Sequence, residues 1–183
     1  MKLILLGIQG SGKSTQGNLL SEKLGIPYLS TGHIFREIAK EHSSLGRYIK
    51  EIMNAGYLIP DKKTNEIVSD YLSRPEYQKG YIMDGYPRTL DQAKAFKNGI
   101  DHVIYLDVSD KEALWRLSYR ENEGEVRADD TLTGIRKRIE LFHQFTEPVL
   151  DFYKTKRKLV RINGEQPIEA IHREVMQSIK HES

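Results

Sequence analysis

Apolar and polar positions along this chain follow two rhythms. Short, nearly continuous apolar runs stand at Lys2–Leu6, Tyr81–Met83, Val103–Asp107 and Leu159–Ile162, and a short extended piece at Pro27–Leu29 adds a fifth. Runs this brief and this apolar predict strands covered on both faces by helices. Between them apolar residues recur every three or four positions, as at Ile135, Ile139, Phe142, Val149 and Tyr153, which is the helical period. Parallel strands need crossovers, and helices fill the gaps. The alternation predicts an α/β fold built on a doubly wound, parallel, five-stranded sheet with helices on both faces.

Several helix starts are legible. Ser109 and Glu112 form a capping-box pattern before Ala113-Leu114,. Pro60-Asp61 opens a helix through Ile67, Val68 and Leu72, and Thr31 is positioned to cap a helix carrying Ile34, Phe35 and Ile38,. The longest helix runs from about Thr131 to Tyr153, with a kink expected at Pro148,. Two segments break the strand–helix rhythm: the helical stretch Gly32–Arg74 and the polar stretch Glu121–Asp130. Both read as pieces that cover a substrate within one domain.

The chemistry is concentrated after the first strand. Gly7-Ile8-Gln9-Gly10-Ser11-Gly12-Lys13-Ser14 follows Leu3-Ile4-Leu5-Leu6 and precedes a helical pattern. This is the strand, glycine-rich turn and helix order of G-x-x-x-x-G-K-[ST], whose backbone N–H groups cradle phosphate oxygens. The helix N-terminus adds partial positive charge. Lys13 is placed to reach the β- and γ-phosphates, and the Ser14 hydroxyl to ligate Mg²⁺ directly,.

A second constellation, Asp84-Gly85-Tyr86-Pro87-Arg88-Thr89, puts an acid at the end of an apolar strand. Ligands of doubly wound sheets gather at the carboxyl ends of strands, so Asp84 is expected to face the crevice of the phosphate loop and hold Mg²⁺ or its waters. Gly85 permits close backbone approach and Arg88 offers a planar fork to a phosphate. Gln92 stands in a Thr89-x-x-Gln92 capping pattern,. Further candidate cations are Arg36, Arg116, Arg120, Arg127, Arg136 and Arg138. Phosphoryl transfer relies on such cations for positioning and electrostatics. No H-R-D-type catalytic loop is present, which argues against a protein-kinase mechanism,. A phosphate acceptor needs no base, because a phosphate monoester is mostly dianionic at pH 7.

Bulk properties narrow the picture. The 183 residues suit one domain, and the absence of cysteine excludes disulfides and Cys-type zinc sites,. That absence fits a cytoplasmic protein. A net charge of +2 argues against broad nucleic-acid binding,. No apolar stretch has the length of a membrane span or a secretory leader,. A monomer is expected.

Five blocks stand in order: Gly7–Gln16, Leu29-Ser30-Thr31-Gly32 through Arg36, Gly56-Tyr57-Leu58-Ile59-Pro60-Asp61, Asp84 through Gln92, and Arg127-Ala128-Asp129-Asp130 through Arg138. In this the sequence resembles the adenylate kinase family of nucleoside monophosphate kinases, in its short-lid form, over nearly the whole chain. The resemblance implies a phosphate-loop NTPase-type fold with a core of residues 1–29, 75–120 and 131–183, a small helical monophosphate-binding lobe at 30–74 and a short lid at 121–130.

It also implies roles. Gly10, Ser11, Gly12, Lys13, Ser14 and Thr15 cradle the donor phosphates of ATP, and Arg116 lies along the donor adenine. Thr31, Arg36, Met53, Tyr57, Leu58, Ile59, Gly85, Arg88 and Gln92 bind AMP, with Gln92 reading the adenine edge. Arg120, Arg127 and Arg138 close over the phosphates, and Asp84 supports Mg²⁺ through water. The implied reaction is Mg²⁺-dependent phosphoryl transfer from ATP to AMP giving two ADP. A UMP/CMP kinase of the same fold, or a nucleotide-dependent switch or ATPase, stands as the alternative. Four residues depart from the family pattern: Gln9 for proline, Ser14 for glycine, His33 for aspartate, and Gly134 inside a helix.

Overall fold

The computed structural model describes residues 1–122 and 131–180. Its five strands are β1 (Lys2–Leu6), β2 (Tyr28–Ser30), β3 (Tyr81–Asp84), β4 (His102–Asp107) and β5 (Leu159–Asn163). Each matches its predicted run to within one residue at either end. They form one parallel sheet in the order β2-β3-β1-β4-β5.

The period-two alternation of β1 explains why both faces are covered. Leu3 and Leu5 point to one side, onto Leu20 of α1 (Lys13–Leu24) and Ile171 and Val175 of α9 (Ile168–Ser178). Ile4 and Leu6 point to the other, into a cluster with Val149 and Tyr153 of α8 (Glu147–Thr155) and Val68 and Leu72 of α4 (Asp61–Leu72). These four β1 side chains are buried, and each contributes about 1.5–3 kcal/mol of apolar burial. Between β2 and β3 the chain makes a helical excursion through α2 (Thr31–Lys40), α3 (Ser44–Asn54) and α4. The remaining helices are α5 (Leu90–Ala95), α6 (Asp110–Asn122) and α7 (Leu132–Leu141). Among the described residues no helix is long and apolar enough to cross a membrane.

Three local expectations are corrected. Thr31 does not cap α2: Ser30 does, its hydroxyl accepting from His33 N at 3.4 Å, while Thr31 occupies the first helical position. At α6, Ser109 caps by accepting from Glu112 N at 3.3 Å, but the reciprocal bond comes from Glu165, whose Oε1 accepts from Ser109 N at 2.9 Å. The Glu112 carboxylate is drawn instead to Arg116. The single helix expected from Thr131 to Tyr153 is two helices, α7 and α8, joined by a π turn at Phe142–Thr146. The wide turn ends two residues before Pro148, whose ring and missing N–H disfavour a regular α ladder there.

Candidate active site

The central strand β1 ends at Leu6 and the glycine-rich loop follows at once. In the β1–β3 register Leu5 lies beside Asp84, so the loop and the acid emerge side by side where the strand order reverses. Gly10 (φ +86°) passes so close to α6 that a Cβ would lie 2.7 Å from Ala113 O. The loop wraps its own lysine: Lys13 Nζ donates to Gly7 O and Ile8 O, each at 2.8 Å, and to Ser11 Oγ at 3.3 Å. Helix α1 starts at Lys13 with no acid in its first turn, so the positive end of its dipole is not neutralised locally.

A cleft of about 630 Å³ opens over this loop. It brings together the predicted residues Gly10, Ser11, Gly12, Lys13, Ser14, Thr15, Arg36, Met53, Tyr57, Leu58, Ile59, Asp84, Gly85, Arg88, Gln92, Arg116 and Arg138. Thr31 is buried behind Ser30 and Gly32, which line the cleft, and donates its hydroxyl to Asp84 O at 3.2 Å. Arg136 is exposed and away from the cleft. The side chain of Arg120 and all of Arg127 lie outside the described residues. His33 is exposed at the start of α2 and does not line the cleft.

Several of the arginines are held from behind. Arg88 Nε donates to Gly85 O at 2.9 Å. Arg138 donates to Gln9 Oε1 at 3.2 Å and to Met53 O at 3.0 Å. Gln9, in place of the family's proline, thus supplies an acceptor. Arg116 donates to Glu112 Oε1 at 2.7 Å and Gly164 O at 2.9 Å. Carbonyl partners orient a guanidinium fork, and a planar fork suits phosphate oxygens.

Asp84 is buried at the end of β3. Its Oδ2 accepts from the Tyr28 hydroxyl at 2.7 Å, while Oδ1 is buried with no hydrogen-bond partner among the described residues. Burial first, then the Asp84 carboxylate, pushes the Tyr28 phenol far above its ordinary range; hydrogen bonds with Ser14 and Ser30 pull the other way. The sequence reading missed Tyr28. Its one signal was Gly17, inside α1, where a Cβ would collide with the Tyr28 ring; a mid-helix glycine often marks such a close approach.

Gln92 is not a capping-box partner. Thr89 Oγ1 accepts from Gln92 N at 3.2 Å, but the Gln92 side chain turns elsewhere. Its Oε1 accepts from Arg88 N at 2.7 Å and its Nε2 donates to Asp61 Oδ1 at 2.7 Å. Trp115, on α6 beside Arg116, also lines the cleft and is 60% exposed; nothing in its spacing distinguished it from a surface residue.

A family model described as adenylate kinase matches residues 5–158. The chain belongs to the adenylate kinase family. It is 41% identical over 171 residues to an adenylate kinase of Mycolicibacterium smegmatis, covering 90% of this chain and 92% of that protein. It is 36% identical over 212 residues to one from Caldicellulosiruptor bescii, covering 98% and 99%, and 34% identical over 213 residues to one from Thermosipho africanus, covering 98% and 100%. The last two alignments are longer than this chain of 183 residues, so those adenylate kinases carry insertions relative to it.

Proposed function

We propose that this protein is an adenylate kinase that transfers the γ-phosphoryl group of ATP to AMP, giving two ADP, with Mg²⁺. The observation that carries the reading is one cleft with a lysine-bearing phosphate loop on one side and Arg36, Arg88, Arg138 and Gln92 on the other. The loop amides, Ser11, Ser14, Thr15 and Lys13 hold the donor phosphates, and Arg116 lies along the donor base. Arg36 and Arg88 hold the acceptor phosphate, and Met53, Tyr57, Leu58, Ile59, Gly85 and Gln92 receive the acceptor nucleoside. Thr31 acts from behind, through the Asp84 carbonyl. Arg120, Arg127 and Arg138 close over the transferring group. Residues 30–74 serve as the monophosphate-binding lobe and 121–130 as the short lid.

Among the described residues no cluster of three or more His, Asp or Glu side chains is placed to hold a metal. Mg²⁺ keeps several waters and takes one or two protein groups plus substrate phosphates. The unpaired buried Asp84 Oδ1 and the Ser14 hydroxyl fit this donor set. When bound, the ion would neutralise charge on the donor phosphates.

In the step itself an oxygen of the AMP phosphate attacks the γ-phosphorus of ATP. The bond from that phosphorus to the bridging oxygen breaks, and its electron pair leaves with ADP. No proton need move, because the attacking oxygen is already anionic near neutral pH. Lys13, Arg88 and Arg138 hold the two polyanions in line and stabilise the equatorial oxygens. A rate panel with ATP and AMP, CMP, UMP or GMP tests the proposal. AMP is expected to be the preferred acceptor, and Lys13→Ala or Arg88→Ala is expected to lower turnover by about 10²–10³-fold with the circular dichroism spectrum retained. Nucleotide binding without phosphate transfer to any monophosphate overturns it.

A further inference from the structure

Asp61, the first residue of α4, does not line the nucleotide cleft, yet it grips a residue that does. Its Oδ1 accepts from Gln92 Nε2 at 2.7 Å and its Oδ2 accepts from Thr89 Oγ1 at 2.8 Å. On the other side of the same amide, Gln92 Oε1 accepts from the Arg88 backbone N–H at 2.7 Å. Gln92 is 2% exposed, so its amide relies on these partners,.

The two contacts fix which end of the amide is which. A carboxylate presents only acceptors and a backbone N–H only a donor. Reversing the amide sets its carbonyl against Asp61 and its NH₂ against the Arg88 N–H, two unfavourable buried contacts at once. What Gln92 retains for a ligand is therefore defined: one hydrogen on Nε2 and one lone pair on Oε1. A donor beside an acceptor complements a base edge carrying a ring-nitrogen acceptor beside an exocyclic amino group, as in adenine and cytosine. With Nε2 facing the ring nitrogen and Oε1 the exocyclic group, as the proposed AMP role requires, the same locked edge opposes guanine and uracil, whose ring position is an N–H donor and whose exocyclic group is a keto acceptor.

We propose that Asp61 is a positioning residue that locks the Gln92 amide and so sets the acceptor subsite to take amino-bearing over keto-bearing bases. This rests on the proposed acceptor role of the cleft and adds to it a residue outside the cleft and a rule for what is rejected. The discrimination is mostly against the wrong base, which leaves buried polar groups mispaired, and this is where polar sites achieve their largest selectivity.

The test is steady-state kinetics of the wild type, Asp61→Ala and Asp61→Asn with AMP, CMP, GMP and UMP at saturating ATP, with melting temperatures measured alongside. Asp61→Ala is expected to raise the AMP KM and to lower the AMP-to-GMP ratio of kcat/KM by about tenfold, with kcat changed less, because one of the two contacts opposing reversal is gone. Asp61→Asn is expected to restore the ratio, its carbonyl facing Gln92 and its NH₂ facing Thr89 Oγ1. If the alanine chain fails to fold, Asp61→Ser serves instead: it keeps a polar group in the first turn of α4 but is too short to reach Nε2. An unchanged AMP-to-GMP ratio, or an equal loss with all four monophosphates, overturns the positioning role. A wild type that phosphorylates none of the four fails the proposed function itself, a distinct result from a wild type that uses AMP and a variant that keeps its selectivity.

Discussion

Gly56, just past the end of α3, lies against Gly134 in the first turns of α7, so closely that a Cβ on Gly56 would stand 2.6 Å from Gly134 O and 2.9 Å from its Cα. The two glycines let backbone meet backbone. Beside them Arg138 donates to Met53 O, so the helical excursion between β2 and β3 is seated on α7 by both packing and a hydrogen bond. This gives Gly134, a helix-weakening residue, a packing reason.

Gly56→Ala tests that seat. Gly56 has φ +77°, a region costly for alanine, and the atoms it would meet are backbone that cannot swing aside,. Strain and displacement together are expected to cost about 1–3 kcal/mol, read as a lower midpoint in urea, and to raise the AMP KM. A midpoint within error of the wild type would show that the contact gives way freely.

Tyr28 and Asp84 give a second expectation. Tyr28→Phe keeps the ring and removes the donor to Asp84 Oδ2. A buried carboxylate left without that partner is expected to cost about 1–3 kcal/mol of stability. With both oxygens of Asp84 then unheld, the Mg²⁺ concentration needed for half-maximal rate is expected to rise. Gly17→Ala should have a related effect by pushing the ring from its notch. Equal melting temperatures and equal Mg²⁺ dependence for Tyr28→Phe and wild type would remove Tyr28 from the site.

These two contacts mark where sequence reasoning stopped. The strands were legible because their apolar runs are short and bounded, and the phosphate loop because its spacing is chemical. The rule that ligands of doubly wound sheets gather at the carboxyl ends of strands pointed Asp84 toward the crevice of the loop before any geometry was available. Local pairing was less legible. Ser30 and Thr31 are both good caps, and only the tertiary pull of the Asp84 carbonyl on the Thr31 hydroxyl decides between them. Glu112 looked like half of a capping box, but Arg116 competes for it and Glu165, distant in sequence, takes its place. Tyr28 and Asp61 act through partners 56 and 31 residues away, separations that carry no periodic signal.

Trp115 is the sole tryptophan of the chain and lines the cleft next to Arg116. Its intrinsic emission is therefore expected to report on the proposed donor side. Saturating ATP is expected to change the emission by stacking or exclusion of water, and AMP alone to change it much less. Trp115→Phe should abolish the signal. ATP binding established by calorimetry without any change in emission would place the donor base elsewhere.

His143 supplies a pH-dependent tie. It lies in the π turn, with Nδ1 2.6 Å from Glu147 Oε1 of α8 and Nε2 2.9 Å from Asp110 Oδ1 of α6. The Glu147 carboxylate holds the imidazole pKa above its ordinary value; partial burial opposes it, and Asp110 adds to the rise. A raised folded-state pKa means that the protonated ring favours the folded chain. The stabilisation is complete below the ordinary value of 6.5 and is lost as pH rises through the raised one,. The side chain is 43% exposed and screened by solvent, so the contribution is expected to stay under about 1 kcal/mol. The melting temperature of the wild type should fall between about pH 6 and 8 relative to that of His143→Gln. Parallel curves for the two proteins across that range would show that the imidazole charge makes no difference to folding.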